Sequence, residues 1–179
     1  VDPDLDVVDA EDDLVDPAFS DAADATSHVD GFVRKIGNAA FAFPVGNAGV
    51  YAPILMSAPG NAAHHFTAKY VYTDPDPLYD DGLHDPSIHH ISGCEYWILD
   101  RTNSTTNVTV TLSFDAVRSC GVDNLADLVV ARWNGSMWKD HGQGTLTGTL
   151  ASGTISTAAP VTAFSPFTLA SRTSMNPLP

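Results

Sequence analysis

The sequence predicts an all-β protein, an antiparallel β-sandwich of about eight to ten strands that follows an acidic, extended N-terminal arm. Short β-prone runs separated by turn residues fill the chain from residue 31 onward. No window of eleven or more residues has the 3.6-residue period of a helix, and the one helix candidate, residues 122–128, is one or two turns long. We therefore divide the chain into an arm, residues 1–30, and a sandwich domain, residues 31–179.

The first half of the domain supplies the strands in which the core residues are easiest to recognise. Residues 31–37, 40–46 and 65–72 are β-prone runs bounded by turn residues. Residues 108–114 alternate strictly between apolar and hydroxyl side chains, as a strand with one buried face does. We expect residues 94–100 to be the first arm of a hairpin whose second arm is 108–114.

The second half of the domain contains two further predicted hairpins and a final strand. Asn134-Gly135 is a strong hairpin turn signal, and it would place Ala131 opposite Trp138. Residues 145–150 and 153–157 form another predicted strand pair. The final strand lies within residues 163–171, where Pro166 indicates a sheet edge or a bend.

The two cysteines, Cys94 and Cys120, are expected at the same end of the 94–114 hairpin, which predicts a disulfide. Such a bond would stabilise the fold by about 3–4 kcal/mol in the chain-entropy model. A catalytic cysteine is disfavoured because no base is positioned by the sequence to form a thiolate. We expect the neighbouring Glu95 to form a surface ion pair with Arg101.

Charge is concentrated in the arm. The chain has 22 acidic and 8 basic residues, a net charge of −14, and residues 1–30 hold ten aspartates and Glu11 with no lysine or arginine. Clustered basic residues are needed to bind nucleic acid or an anionic membrane surface, so neither partner is expected. No apolar run is long enough to insert into a membrane. The first residue, Val1, suggests a piece of a longer precursor, and the composition favours export.

The arm has too few apolar residues to fold alone. It orders only if its own domain, bound cations or a neighbouring molecule holds it. We expect it to add to an exposed sheet edge of a neighbouring copy and so to link copies into a fibre. Packing within its own chain is the alternative.

Calcium is the candidate metal, although no cofactor is required by the prediction. Asp74, Asp76, Asp80 and Asp81 lie in one turn-rich segment and offer the oxygen ligands that calcium takes in irregular geometry. The alternative is a merely acidic surface. Five of the seven histidines lie between His64 and His90, but their spacing fits no zinc or copper motif.

Trp133 and Trp138 leave two interpretations open. Both share a strand face with apolar residues, which favours packing in the core. The alternative is a flat aromatic platform for glycans. No nucleophile motif, phosphate-binding glycine loop or nucleotide fingerprint is present, so we expect the protein not to be an enzyme.

Several phrases of the domain together resemble a known module: FAFPVGN at 41–47, HISGCEYWILDR at 90–101, and the closing FTLAS and NPLP. The module stands just before the C-terminal sorting region of large surface or adhesin-like proteins exported by the type IX secretion system. The resemblance covers residues 30–179 and excludes the arm. It implies export, a β-rich fold and a non-catalytic role. No sorting region follows Pro179, which we interpret as its cleavage or as excision of this piece.

Together these observations predict a secreted or cell-surface, structural or adhesive module. Its expected partners are neighbouring copies or other domains of a longer precursor. The alternative is a carbohydrate-binding module of a secreted multidomain protein, with glycans as partners.

Overall fold

The computed structural model describes residues 24–178 and the backbone of residues 5–8. Sixteen β-strands, numbered here in chain order, account for the regular structure of this part, together with one 3₁₀ turn, Leu125–Asp127. The all-β prediction is confirmed, and the 3₁₀ turn lies where the short helix was predicted. Strands exceed the predicted number because several are only two or three residues long.

The strands form three sheets. The largest has eight strands, in the order β1 (Leu5–Val8), β3 (Phe32–Ile36), β8 (His65–Val71), β10 (Tyr96–Asn103), β16 (Phe167–Ser171), β12 (Leu128–Trp133) and β13 (Trp138–Asp140), with β9 (His90–Ile91) also paired to β16. The second has five, in the order β14 (Leu146–Gly148), β15 (Ser152–Ser156), β11 (Val110–Asp115), β7 (Ile54–Met56) and β4 (Phe41–Phe43). The smallest comprises β2 (Val29–Asp30), β5 (Val45–Asn47) and β6 (Val50–Tyr51).

The core lies between the two larger sheets. Phe66 and Leu99 from the eight-stranded sheet belong to the same fully buried cluster as Ile54, Leu112 and Ile155 from the five-stranded sheet. The alternation predicted for residues 108–114 is therefore real, because its apolar members face the opposite sheet. Two-layer packing of this kind is the β-sandwich that the sequence predicts.

The predicted hairpin of residues 94–100 with 108–114 is wrong. β10 pairs with β8 and β16, whereas β11 pairs with β7 and β15 in the other sheet. The segment between them crosses from one sheet to the other, so the two strands lie in opposite layers of the sandwich. Alternation identifies the buried face of a strand, but it does not identify the neighbour to which the strand is hydrogen-bonded.

The β12–β13 hairpin exists, but the strand partners are shifted by two residues from the prediction. Trp133 pairs with Trp138, and Ala131 pairs with Asp140. The backbone N–H of Asn134 donates to Met137 O at 3.0 Å, so the turn is centred one residue later than expected. Gly135 has a φ of +100°, which a glycine adopts without strain.

The remaining hairpin and the final strand agree with the prediction in part. β14 pairs with β15 as expected. Pro166 precedes β16 at a bend, but β16 pairs with both β10 and β12 and so is not an edge strand. Because Pro166 lies before the strand begins, its missing N–H is not needed for pairing. In the described part of the chain, no helix has the length and apolar character that crossing a bilayer requires.

Most of the predicted arm, residues 1–4 and 9–23, lies outside the described residues. Its last two residues, Val29 and Asp30, form β2 and pair in parallel with Val45 and Gly46. The Asp30 carboxylate also accepts hydrogen bonds from Asn47 Nδ2 at 3.0 Å and from Ala48 N at 3.1 Å. Residues 29–30 are therefore part of the folded domain.

Candidate functional site

The first candidate site is the edge of the eight-stranded sheet at β3. On one side β3 pairs antiparallel with β8, with Val33 opposite Ala68. On its other side β1 pairs with it in parallel, from Leu5 opposite Phe32 to Val8 opposite Lys35. Four residues of the acidic arm thus occupy a sheet edge of their own chain, which is the alternative given above to pairing with a neighbouring copy. As an added strand, β1 supplies the backbone hydrogen bonds that a lone edge lacks.

This edge is rich in positive charge. Arg34 and Lys35 lie on β3, and Lys69 lies on the adjacent β8, with its Nζ 5.2 Å from the centroid of the Phe32 ring. These are three of the eight basic residues in the chain. The edge therefore complements the charge of the arm, which carries eleven acidic residues and no basic ones.

Two of these basic groups are incompletely partnered within the described part of the chain. The Nε of Arg34 is buried and has no hydrogen-bond partner there. Lys35 is only 2% exposed, and its Nζ donates to Ile36 O at 2.6 Å. Burial lowers the pKa of Lys35, since a buried ammonium group loses hydration.

A disulfide joins Cys94 to Cys120, with 6.2 Å between their Cα atoms. The predicted pairing is confirmed, but the bond links different elements from those expected. Cys94 precedes β10 in one sheet and Cys120 follows β11 in the other, so the disulfide ties the two layers together at one end of the sandwich.

The predicted ion pair of Glu95 with Arg101 is wrong. Glu95 is fully buried and pairs with Arg118. Arg101 instead donates to Thr106 O at 3.1 Å and lies with its guanidinium carbon 4.9 Å from the Phe164 ring centroid. The error follows from the hairpin error, because Arg101 lies on β10 far along the strand from Glu95 whereas the disulfide brings Arg118 close.

Both oxygens of the Glu95 carboxylate are hydrogen-bonded. Oε1 accepts from the Ser119 hydroxyl, and Oε2 accepts from Arg118 Nη1 and, at 2.7 Å, from the Tyr70 hydroxyl. The Arg118 guanidinium carbon is also 5.6 Å from the Trp97 ring centroid. Burial raises the pKa of Glu95, and the positive charge of Arg118 opposes that shift. The cluster satisfies its own polar groups and is structural in character.

The acidic segment predicted to bind calcium is partly assembled. Asp76, Asp80 and Asp81 are exposed, and one ligand oxygen from each lies within 4.8 Å of the others. Asp74 is not in that group, but its carboxylate accepts a hydrogen bond from Asp76 N at 2.9 Å. Burial and the charge of Asp76 raise the pKa of Asp81. The three salt bridges between described residues involve none of these aspartates.

The acidic loop, residues 74–81, is attached to an aromatic cluster through Tyr79. The Tyr79 ring lies 5.6 Å from Tyr96, 6.0 Å from Trp133 and 6.1 Å from Trp138 between centroids, and its carbonyl accepts from Trp138 Nε1 at 3.0 Å. Trp138 is fully buried, so it has no exposed face for a sugar, and Trp133 is half-buried. Core packing therefore accounts for Trp138.

The histidine-rich region contains one close pair. His89 Nδ1 and His90 Nδ1 are 3.0 Å apart, whereas His64 is hydrogen-bonded to Thr106. Among the described residues, the one group of three or more potential metal ligands is the aspartate group of the acidic loop.

A cleft of about 660 Å³ opens beside the small sheet and was not signalled by the sequence. Its apolar wall includes Tyr51, Pro53 and Tyr72, and its polar wall includes Ser113 and Asp115. These residues come from separate strands and loops, so their convergence depends on the tertiary fold. A cleft of this size and mixed lining is suited to a small ligand.

No protein-family model matches this chain, and neither a curated protein nor a solved structure matches it. The resemblance to the type IX secretion module accordingly stays a prediction.

Proposed function

We propose that this chain is a non-catalytic structural module of an exported or cell-surface protein, and that it assembles with neighbouring copies through its N-terminal arm. The pairing of β1 with the β3 edge is the observation that carries the proposal. Strand addition relies on backbone hydrogen bonds, which an identical segment from another copy supplies equally well. An element held in this way is suited to exchange between protomers.

The length of the connecting segment supports exchange. Residues 9–23 separate β1 from Asp24, where the described domain begins. Fifteen residues of extended chain span up to about 50 Å, which exceeds the diameter of a small domain. The arm is therefore long enough for β1 to reach the β3 edge of an adjacent copy.

Charge supports the same arrangement. Arms repel one another because each carries eleven acidic residues, whereas the β3 edge offers Arg34 and Lys35. Attraction of the arm to the edge would speed association at low ionic strength and weaken as salt screens it.

The proposal that the module is not catalytic is supported by the hydrogen bonding of its buried carboxylate. Glu95, the buried carboxylate of the described domain, has both oxygens hydrogen-bonded by its neighbours. A catalytic acid or base needs access to a substrate proton. Export is supported by the Cys94–Cys120 disulfide, since such bonds persist in oxidising compartments.

Cysteine cross-linking between copies tests the proposal directly. Val7 is opposite Arg34 in the register, so one preparation would carry Val7→Cys and the other Arg34→Cys. We expect a disulfide-linked heterodimer when the two are mixed and mildly oxidised. A matched control replaces Arg34→Cys with Thr147→Cys, an exposed position on β14 in the other sheet, and should give no such product.

A different cross-linking result would contradict the assembly proposal. If the mixture yields no heterodimer while the Val7→Cys/Arg34→Cys double variant links within a monomer, the arm packs on its own chain and the assembly proposal fails. Size-exclusion chromatography and negative-stain microscopy of a chain that begins at Asp24 provide an independent check, because oligomers should then be lost.

The cleft favours a second candidate function, a carbohydrate-binding module. Tyr72 is 37% exposed at the cleft, and tyrosine faces beside polar groups such as Ser113 and Asp115 suit a neutral sugar. Retention on insoluble polysaccharides should be lost in Tyr72→Ala and kept in Trp133→Ala. Equal retention of both variants, or none by the original chain, would rule against this candidate.

A further inference from the structure

The turn of the β12–β13 hairpin contains the acceptor pattern for an N-linked glycan. Asn134-Gly135-Ser136 matches Asn-X-Ser/Thr, in which X is not proline. The chain has the same pattern at Asn103 and at Asn107. All three asparagines are exposed, so accessibility alone does not distinguish them.

Among the three patterns in the described part of the chain, only the one at Asn134 has its asparagine carboxamide hydrogen-bonded to the serine of the same pattern. Its Oδ1 accepts hydrogen bonds from Ser136 Oγ at 3.0 Å, Ser136 N at 3.0 Å and Met137 N at 2.9 Å. Three donors on the carbonyl oxygen draw electron density from the amide and make its N–H groups more acidic. Nδ2 has no hydrogen-bond partner among the described residues, and Asn134 is exposed. The nitrogen is therefore polarised and open to approach.

The other two patterns are held differently. Asn103 lies at the end of β10, where its Nδ2 donates to Ala63 O at 3.3 Å. Asn107 accepts from Arg101 Nη1 at 3.2 Å through its Oδ1. The third residue of its pattern, Thr109, is fixed on both sides by Ser57: its N–H donates to the Ser57 hydroxyl at 2.9 Å, and its carbonyl accepts from Ser57 N at 3.0 Å. At Asn103 the reacting nitrogen is itself hydrogen-bonded, and at Asn107 the third residue of the pattern is held in place, whereas the contacts of Asn134 leave its Nδ2 without a partner among the described residues.

We propose that Asn134 is the site of N-linked glycosylation, with a lipid-linked oligosaccharide diphosphate as the sugar donor. In the transfer, the bond between sugar C1 and the phosphate oxygen breaks, and the lipid diphosphate leaves with the electron pair. Sugar C1 forms a bond to Asn134 Nδ2, which loses one proton to a base of the transferase. The proposal is independent of the proposed assembly function.

The position of the glycan has a structural consequence. β13 is the last strand of the eight-stranded sheet, and β1 lies at the opposite edge. Trp138 on β13 is already hydrogen-bonded to Leu83 and Asp85 on its outer side, so this edge is not free for strand addition. A glycan on the β12–β13 turn would leave the β3 edge unobstructed.

Glycosylation of the folded, full-length chain in vitro tests this inference. A purified single-subunit oligosaccharyltransferase and a polyprenyl-diphosphate oligosaccharide would be the reagents, with site occupancy followed over time by peptide mass spectrometry. We expect Asn134 to be occupied first, ahead of Asn103 and Asn107. Ser136→Thr should keep that occupancy, and Ser136→Ala should lose most of it. Equal unfolding midpoints of the two variants would show that the fold is intact.

Three results would overturn the proposal. One is faster modification of Asn103 or Asn107, and another is full occupancy of Asn134 in Ser136→Ala. The third result concerns the protein isolated from its natural host. If its Asn134 peptides carry only the mass difference of Asn to Asp, the site has undergone spontaneous deamidation at Asn-Gly and carries no glycan.

Discussion

Arg118 and Glu95 form a buried ion pair that bridges the two sheets of the sandwich beside the Cys94–Cys120 disulfide. The carboxylate lies just before β10, and the guanidinium lies just after β11. The two residues are 23 positions apart in the chain. The covalent and the ionic connection thus hold the same end of the two layers, which makes this end a natural place to measure stability.

Removal of one partner of this ion pair should destabilise the fold strongly. We expect Glu95→Gln or Arg118→Met to lower the free energy of unfolding by about 3–5 kcal/mol, because each leaves the other group buried without its counter-charge. Urea denaturation followed by tryptophan fluorescence measures the change. The Glu95→Gln/Arg118→Met double variant should lose less than the sum of the single losses; strict additivity would mean that the two groups are not coupled.

Loss of the disulfide should lower the free energy of unfolding by a similar amount. Cys94→Ser/Cys120→Ser is expected to lower the free energy of unfolding by about 3–4 kcal/mol, since the cross-link constrains the unfolded chain. Chemical denaturation of the unreduced protein and of the variant gives the comparison. Cys94→Ala/Cys120→Ala is the control for a buried serine hydroxyl, and an unchanged midpoint in both variants would contradict the prediction.

The acidic loop should bind calcium if the three grouped aspartates act as ligands. Isothermal titration with calcium should give binding that Asp81→Asn removes and that Asp100→Asn, an exposed acid on β10, leaves unchanged. Binding should weaken as the pH falls through the raised pKa of Asp81, because protonation removes the ligand charge. If both variants bind calcium with equal affinity, the ion is bound elsewhere or is attracted only by the overall negative charge of the surface.

Stability should fall when the protein is moderately acidified. Burial lowers the pKa of His141 below the ordinary histidine value of 6.5; Arg132 lowers it further, and Asp140 and Asp85 oppose the shift. The unfolded chain then binds more protons, so stability from this histidine is fully present above 6.5 and is lost as the pH falls from there towards the folded-state pKa. The pKa of His90 is also lowered by burial, so this histidine changes stability in the same direction.

Denaturation midpoints measured between about pH 8 and pH 5 would check this prediction. His141→Gln should flatten the profile, because glutamine retains an acceptor for Arg132 but does not titrate in this range. A profile of the same steepness in the variant would assign the pH dependence to other groups.

The sequence predicted those features that depend on one strand or one loop. The alternation in residues 108–114 identified the face that Leu112 and Phe114 bury, and the spacing of Asp76, Asp80 and Asp81 within one loop was enough to bring them together. The disulfide was predicted from a hairpin that does not exist, and the pairing is still correct because Cys94 and Cys120 reach the same end of the sandwich.

Features that depend on the choice of strand partner were not predictable in this way. Alternation is the same in a strand that forms a hairpin and in one that crosses to the other sheet, so β10 and β11 were predicted to pair although they lie in different sheets. The error carried over to Glu95, whose partner Arg118 comes from the second layer. The sequence did contain one usable signal: Glu95 follows one cysteine of the disulfide and Arg118 precedes the other.

The parallel direction of β1 and β3 has a mechanical consequence. In a parallel pair, a pull on the N-terminal end of β1 against the far end of β3 acts along the strands. The four register pairs from Leu5–Phe32 to Val8–Lys35 then bear the load together, in shear, and do not open one after another like a zipper. An arm exchanged between copies would thus form a joint that resists tension along a fibre better than an antiparallel hairpin peeled from its open end.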